Sequence, residues 1–308
     1  MSLYSPPKDI PTIKFTSMPQ SFFKDSDSDW VRANKPNQII KSFLEGPSFD
    51  RAGNLYVTDI PYGRIFKVSV SGDWELVLQY DGWPNGLKIH QDGRLFIADY
   101  KNGIMVVDPI SRKMDPFLTH QRSESFKGVN DLFFDAQGDL YFTDQGQSGM
   151  HDQSGRVFQY QAKSGKLNCL LGNGPSPNGL VMDLNESALM VAMTRGNAVW
   201  RLPMLLDGGT SKVGIFTSMA GGVSGADGMA LDEEGNLYVC DAGNGCVWAF
   251  TPRGVPLYRI LACTSGQTLT NLAFGGEGNR SLYMTDSSTG SILRADLPHR
   301  GKVMYSHR

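Results

Sequence analysis

The stretch WPNGLKIHQDGRLFIA, residues 83–98, decides the fold because the chain says it again: residues 176–192 read SPNGLVMDLNESALMVA. Both have Pro-Asn-Gly-Leu, a polar turn and an apolar run. The run itself occurs six times, as LYVTD (55–59), LFIAD (95–99), LYFTD (140–144), LMVAM (189–193), LYVCD (237–241) and LYMTD (282–286). Successive copies begin 40, 45, 49, 48 and 45 residues apart, and most follow a glycine-containing turn such as HQDGR or DAQGD. Two β-rich runs around such a turn read as a hairpin. A second pair follows each hairpin, for example RIFKVS and WELVLQY. Four strands at a period in the forties make one propeller blade. The expected fold is therefore all-β: a six-bladed β-propeller with four-stranded blades around a central channel. Two separate β-sandwiches would not produce six matched repeats.

The composition agrees. The 35 glycines among 308 residues supply many turns, and a chain of this length can bury a core without disulfides. A formal charge of −2 with no basic stripe argues against a nucleic-acid partner. The four cysteines show neither C-x-x-C nor zinc spacing. The start MSLYSPPKDIPTIKF has no apolar signal core, and no stretch has the ~18 apolar residues of a membrane helix, so a cytoplasmic protein without a membrane partner is expected. Residues 1–36, with prolines and the run KDSDSDW, fit no blade. They are expected to lie over the propeller or to reach the partner subunit of a homodimer. The propeller is expected over 37–308, closed by NQIIKSF (37–43) as outer strand of the last blade, with the terminal KVMYSH as its rival for that role.

Counting back from each apolar run gives the candidate site. Ten residues before Leu55, Leu95, Leu140 and Leu237 stand Glu45, Asn85, Asn130 and Asp227; eleven before Leu189 and Leu282 stand Asn178 and Asn271. All six carry a side-chain oxygen. The first strand of a propeller blade lines the channel, so these positions converge on the axis. Amide and carboxylate oxygens without converging His or Cys suit a hard cation. Two carboxylates at one level, with no Lys or Arg expected beside them, would otherwise repel. Singly, Asn and Asp mark turns; six in register favour a metal site, with Asn85 and Asn271 the most turn-like.

FLEGPSFDRAGNLYVTD, NDLFFDAQGDLYFTD, SPNGLVMDLNESALMVA, GADGMALDEEGNLYVCD and TNLAFGG together resemble the successive motifs of the senescence-marker-protein/gluconolactonase (regucalcin-like) family, over roughly residues 40–296. The resemblance implies a propeller with one divalent cation on its axis, held by Glu45, Asn178 and Asp227, and in many members hydrolysis of lactones. It places Asn130 against the metal or the substrate. Calcium is the expected ion, with magnesium, manganese or zinc as alternatives. One motif departs: where R-x-N-D is common in sugar-lactone members, this chain has KGVND, with Gly128 in the arginine's place.

The expected chemistry is hydrolysis of a small lactone, with Asp227 as general base, Asn130 assisting and Glu45 anchoring the ion. Asp131 and Asn271 would orient the ligands from behind. Specificity is expected from loops on the same face: QGQSGMHDQSG (145–155) with Met150 and His151, MTRGNA (193–198) with Arg195, IPYG (60–63) with Tyr62, and Asn85 from the ring. A phosphotriesterase or fluorophosphatase using the same cage, or a non-enzymatic calcium- or partner-binding propeller, are the alternatives, since the fold alone does not choose.

Overall fold

The computed structural model describes residues 5–219, 221 and 225–308. Six sheets, each a meander running outward from the axis, form the blades. Their first strands are Leu44–Phe49, Pro84–Ile89, Val129–Phe134, Pro177–Met182, Gly225–Leu231 and Leu269–Gly275. Each touches the first strand of the next blade, and the sixth touches the first, so the ring is closed. The expected six-bladed propeller is the fold.

The repeated apolar runs are the second strands. They lie between neighbouring blades with both faces covered, so they read as continuous apolar stretches rather than alternating ones. Leu55, Val57, Leu95, Ile97, Phe142, Val191, Val239 and Met284 are all buried. Five of the runs end in a fully buried aspartate, Asp59, Asp99, Asp144, Asp241 or Asp286. These carboxylates tie down the loops above. Asp59 Oδ1 accepts from Phe43 N at 2.7 Å and Asp144 Oδ1 from Gly128 N at 2.8 Å. Asp59 also pairs with the buried Arg64, whose Nη1 donates to Phe22 O.

Ring closure corrects the expected domain boundary. The outer strand of the sixth blade is Ile13–Ser17, antiparallel to Ser291–Asp296, and Lys8–Pro11 adds a fifth, parallel strand to blade five beside Pro256–Leu261. Residues within 1–36 therefore belong to two blades, and residues 1–4 lie outside the described ones. The segment 37–43 forms no strand: Asn37 has φ 63°, Ile39 is exposed, and Ser42 and Phe43 bond to the Asp59 carboxylate instead of a ladder. IKFTS has what a closing strand needs, a β-branched and aromatic pattern, with Phe15 edge-on to Tyr283 at 5.2 Å. The terminal KVMYSH ends in a 3-10 turn, Tyr305–His307.

After closing the ring the chain crosses the upper face of blade one. Ser28 caps the short helix Asp29–Asn34 by accepting from Val31 N, and the helix buries Trp30 and Val31 against Ile60, with Ile40, Phe43 and Trp83 alongside. Burial of those two side chains holds the crossing segment down by roughly 1.5–3 kcal/mol each.

Candidate active site

In every blade the pairing of first and second strands slips at the same place: between Glu45 and Ser48, Pro84 and Leu87, Val129 and Leu132, Pro177 and Leu180, Ala226 and Met229, Leu269 and Leu272. Each slip is a bulge that turns a side chain toward the axis. Pairing, rather than residue spacing, gives the true equivalents: Glu45, Asn85, Asn130, Asn178, Asp227 and Thr270. The expected sixth member, Asn271, stands one residue on. Thr270 hydrogen-bonds Leu44 O at 2.8 Å and so joins blades six and one.

The second bulge position is Gly46, Gly86, Gly179 or Gly228 in four blades because the next blade presses on it. A Cβ on Gly86 would lie 2.2 Å from Asp131 Oδ1, and one on Gly228 2.2 Å from Asn271 Oδ1. Only blades three and six carry side chains there, and these meet: Asn271 Nδ2 donates to Asp131 Oδ2 at 3.2 Å. Asp131 Oδ1 accepts from Leu132 N at 2.8 Å and faces Lys88 Nζ at 3.9 Å. A lysine thus stands in the channel one layer beneath the ring, below the level from which Lys and Arg were expected to be absent.

Glu45, Asn130, Asn178 and Asp227 are all buried, while Asn85 is half-buried. The two buried amides are aimed by neighbours that the sequence reading did not single out. Asn130 Nδ2 donates to Gln145 Oε1 at 3.0 Å, and Gln145 Nε2 donates onward to Ser176 Oγ at 2.9 Å. Asn178 Nδ2 donates to Thr194 Oγ1 at 3.2 Å, and that hydroxyl donates to Ala226 O at 2.8 Å. With its amide nitrogen so engaged, Asn130 leaves its Oδ1 buried without a partner, and Asp227 Oδ1 is likewise buried and unpartnered. Gln145 and Thr194 occupy the same place, just past the end of the second strand, which is the signal that could have found them.

The electrostatics carry the same message. Burial, reinforced by the charge of Asp131, pushes the Glu45 carboxyl up to about 7. Burial holds Asp227 well above the usual carboxylate range; the charges of Glu45 and Asp131 add to this, and Lys35 and the Asn178 amide partly offset it. Two buried carboxyls that resist ionisation, beside an unpartnered amide oxygen, have the chemistry that suits a hard divalent cation. The residues present fit such an ion. Among the described residues no group of three or more His, Cys, Asp or Glu side chains could hold a metal, so an ion here would draw on amide oxygens beside the two carboxylates.

The rim residues are placed less uniformly. His151 and Arg195 both lie against Gly149 and are exposed, and Met150 is exposed beside them, so the 145–155 loop and the 193–198 turn form one wall. Tyr62 does something else: its hydroxyl bonds Ser26 O and Ile40 O, pinning the crossing segment. A cavity of about 410 Å³ occupies the opposite end of the channel, lined by Phe133, Val181, Met229 and Leu272 and closed by residues 302–307. It shares only Lys88 with the layer beneath the ring. No helix among the described residues is long and apolar enough to cross a membrane.

Comparison with known proteins adds to this geometry. Residues 43–288 match the family described as the SMP-30/Gluconolactonase/LRE-like region. The chain is 30% identical over 274 residues to lactonase drp35 of Staphylococcus aureus, covering 82% of each chain. Among solved structures, it matches the calcium-binding protein regucalcin from Agrobacterium tumefaciens with a TM-score of 0.76 at 18% identity, over 98% of this chain and 99% of that one. A gluconolactonase from Xanthomonas campestris matches with a TM-score of 0.71 at 20% identity, over 83% and 86%. At these identities the two structures speak for the fold alone.

Proposed function

The chain belongs to the SMP-30/gluconolactonase/LRE-like family, and on that premise we propose that it hydrolyses the ring ester of a small lactone at the mouth of the channel, with a divalent cation held by Glu45, Asn130, Asn178 and Asp227. The observation that carries this reading is the pair of buried, unpartnered oxygens, Asn130 Oδ1 and Asp227 Oδ1, in a ring with Glu45.

Bound there, a divalent cation would polarise the ring carbonyl and offset the charge that develops on its oxygen. The chain's own residues do the rest. Water adds to the carbonyl carbon while the Asp227 carboxylate accepts its proton. The ring C–O bond then breaks, and the proton passes from Asp227 to the departing oxygen to give the hydroxy acid. Asn130 positions the carbonyl, its amide held by Gln145. Glu45 supplies anchoring charge, its Oε2 accepting from Gly46 N at 2.9 Å. Calcium is the ion that two carboxylates and neutral amide oxygens suit best.

The test is acid release from a panel of lactones by metal-stripped protein, with calcium, magnesium, manganese and zinc returned singly, and by the Asp227→Asn variant. Turnover restored by one ion and lost by a factor of about 10² or more in the folded variant supports the reading. Tight ion binding with no turnover of any lactone would overturn it.

A further inference from the structure

The mouth of the site is divided chemically. The residue at the lip of each first strand, two before the ring position, is Phe43, Trp83, Gly128, Ser176, Gly225 and Thr268 in blades one to six. Blades one and two present aromatic rings, and blades four to six small or polar groups. In blade three the position is glycine, but its space is filled. Tyr100, just past the second strand of blade two, lays its ring on Gly128, so that a Cβ there would fall 2.5 Å from Tyr100 Cε2 and Cζ. The φ of 153° at residue 128 also disfavours a side chain.

The ring of Tyr100 is held from three sides. Its backbone N donates to Trp83 O at 3.0 Å, its hydroxyl accepts from Gln147 Nε2 at 2.7 Å, and its ring lies 5.8 Å from that of Trp83 at 35°. Trp83 packs in turn on the cluster of Trp30, Val31 and Ile60. Both rings are only half-buried, so part of each remains open to solvent. Trp83 lies two residues before Asn85, the ring position of blade two, and Tyr100 of the same blade lies on Gly128, two residues before Asn130, the ring position of blade three. An arginine able to grip a polyol cannot occupy residue 128 while Tyr100 keeps this place.

We propose that Trp83 and Tyr100 form a platform for the flat apolar body of the substrate, so that this site selects lactones bearing an aromatic ring over polyhydroxylated sugar lactones. This rests on the lactonase reading of the site and names its substrate class. A lactone whose carbonyl reaches the oxygen ring from blades two and three lays its substituent on these rings. A sugar lactone placed there would exchange water for carbon around its hydroxyls, which costs affinity, whereas a phenyl group gains contact area.

The experiment compares γ-phenyl-γ-butyrolactone, γ-butyrolactone and δ-gluconolactone with the calcium-loaded protein, by kcat/KM and by calorimetric binding. The phenyl lactone is expected to exceed each of the others by about tenfold. Tyr100→Ala should bring its ratio to γ-butyrolactone close to one, chiefly through KM, and Tyr100→Phe, which keeps the ring, should preserve it. Should Tyr100→Ala not fold, Trp83→Leu reads the same surface. Preference for δ-gluconolactone, or a ratio indifferent to both positions, overturns the platform even if lactones are hydrolysed. Selective binding of the phenyl lactone that weakens in Tyr100→Ala, without turnover, supports the platform and removes the lactonase reading instead.

Discussion

Stripping the cation should make this protein lose stability as pH rises, and the size of the loss follows from Glu45. Its carboxyl is pushed up to about 7 in the fold, from an ordinary 4.5, because burial and the Asp131 charge oppose ionisation. Below pH 4.5 both states hold the proton and ionisation imposes no penalty. Between about pH 4.5 and 7 the unfolded chain gives up its proton while the fold retains it, so stability falls with each step in pH. Above about 7 the full penalty is present: about 1.4 kcal/mol for each pH unit between the two values, or roughly 3 kcal/mol. Asp227 is raised for the same reason and adds in the same direction. A cation between the two carboxylates removes the penalty and should bind more tightly, with release of protons, as pH rises. At about 2.1 cal/mol/K of unfolding entropy per residue, roughly 3 kcal/mol in a chain of this size corresponds to about 5 °C in Tm. The assay is thermal unfolding of chelator-treated protein between about pH 5 and 9, with and without millimolar calcium. Asp135, raised to about 6 by burial, titrates in the same window on another part of the molecule, so the calcium-dependent difference is the quantity to follow. That difference should widen with pH in the parent protein and shrink in Glu45→Gln. A stripped protein whose Tm is flat or rises across this window, with no calcium effect, would refute the account of the ring.

Three further outcomes follow from the surroundings of the site. Thr194→Val removes the acceptor that turns the Asn178 amide, and calcium affinity measured by titration calorimetry should weaken by about 10–100-fold with the fold intact. Arg64→Ala leaves Asp59 buried and unpaired and frees Phe22 O, so urea unfolding should show a loss of about 3–5 kcal/mol. Deleting residues 1–17 strips the outer strands from blades five and six; the exposed edges should lower Tm and promote aggregation, seen by light scattering.

Much of this molecule could be read directly from its repeats. A strand enclosed by two neighbouring blades must be apolar at successive positions, and a tight hairpin turn needs a residue at positive φ, glycine in five blades and Glu186 in the fourth. Six such apolar runs, each behind a polar turn, therefore announce six blades before any contact is known. The ring positions Glu45, Asn130, Asn178 and Asp227 were legible for the same reason, since each lies ten or eleven residues before its own blade's apolar run. The same counting failed at Asn271, because a longer turn in blade six shifts the spacing while the bulge stays in place. Only the pairing of strands identifies Thr270 as the ring member and puts Asn271 against Asp131.

What lay beyond the sequence were relations between segments with no shared period. The chain closes its ring with residues 13–17, not 37–43, because the sixth blade's edge selects the segment that can pair backbone to backbone, while Asp59 satisfies the other. Lys88 stands beneath the ring, and Lys35 at the end of the crossing helix acts on Asp227, because side chains far apart in the chain converge only once the propeller is closed. Tyr100 covers Gly128 on the same terms. Local spacing sets which residues can face the axis; the closed ring decides which of them meet, because packing between blades is a long-range property that no single repeat encodes.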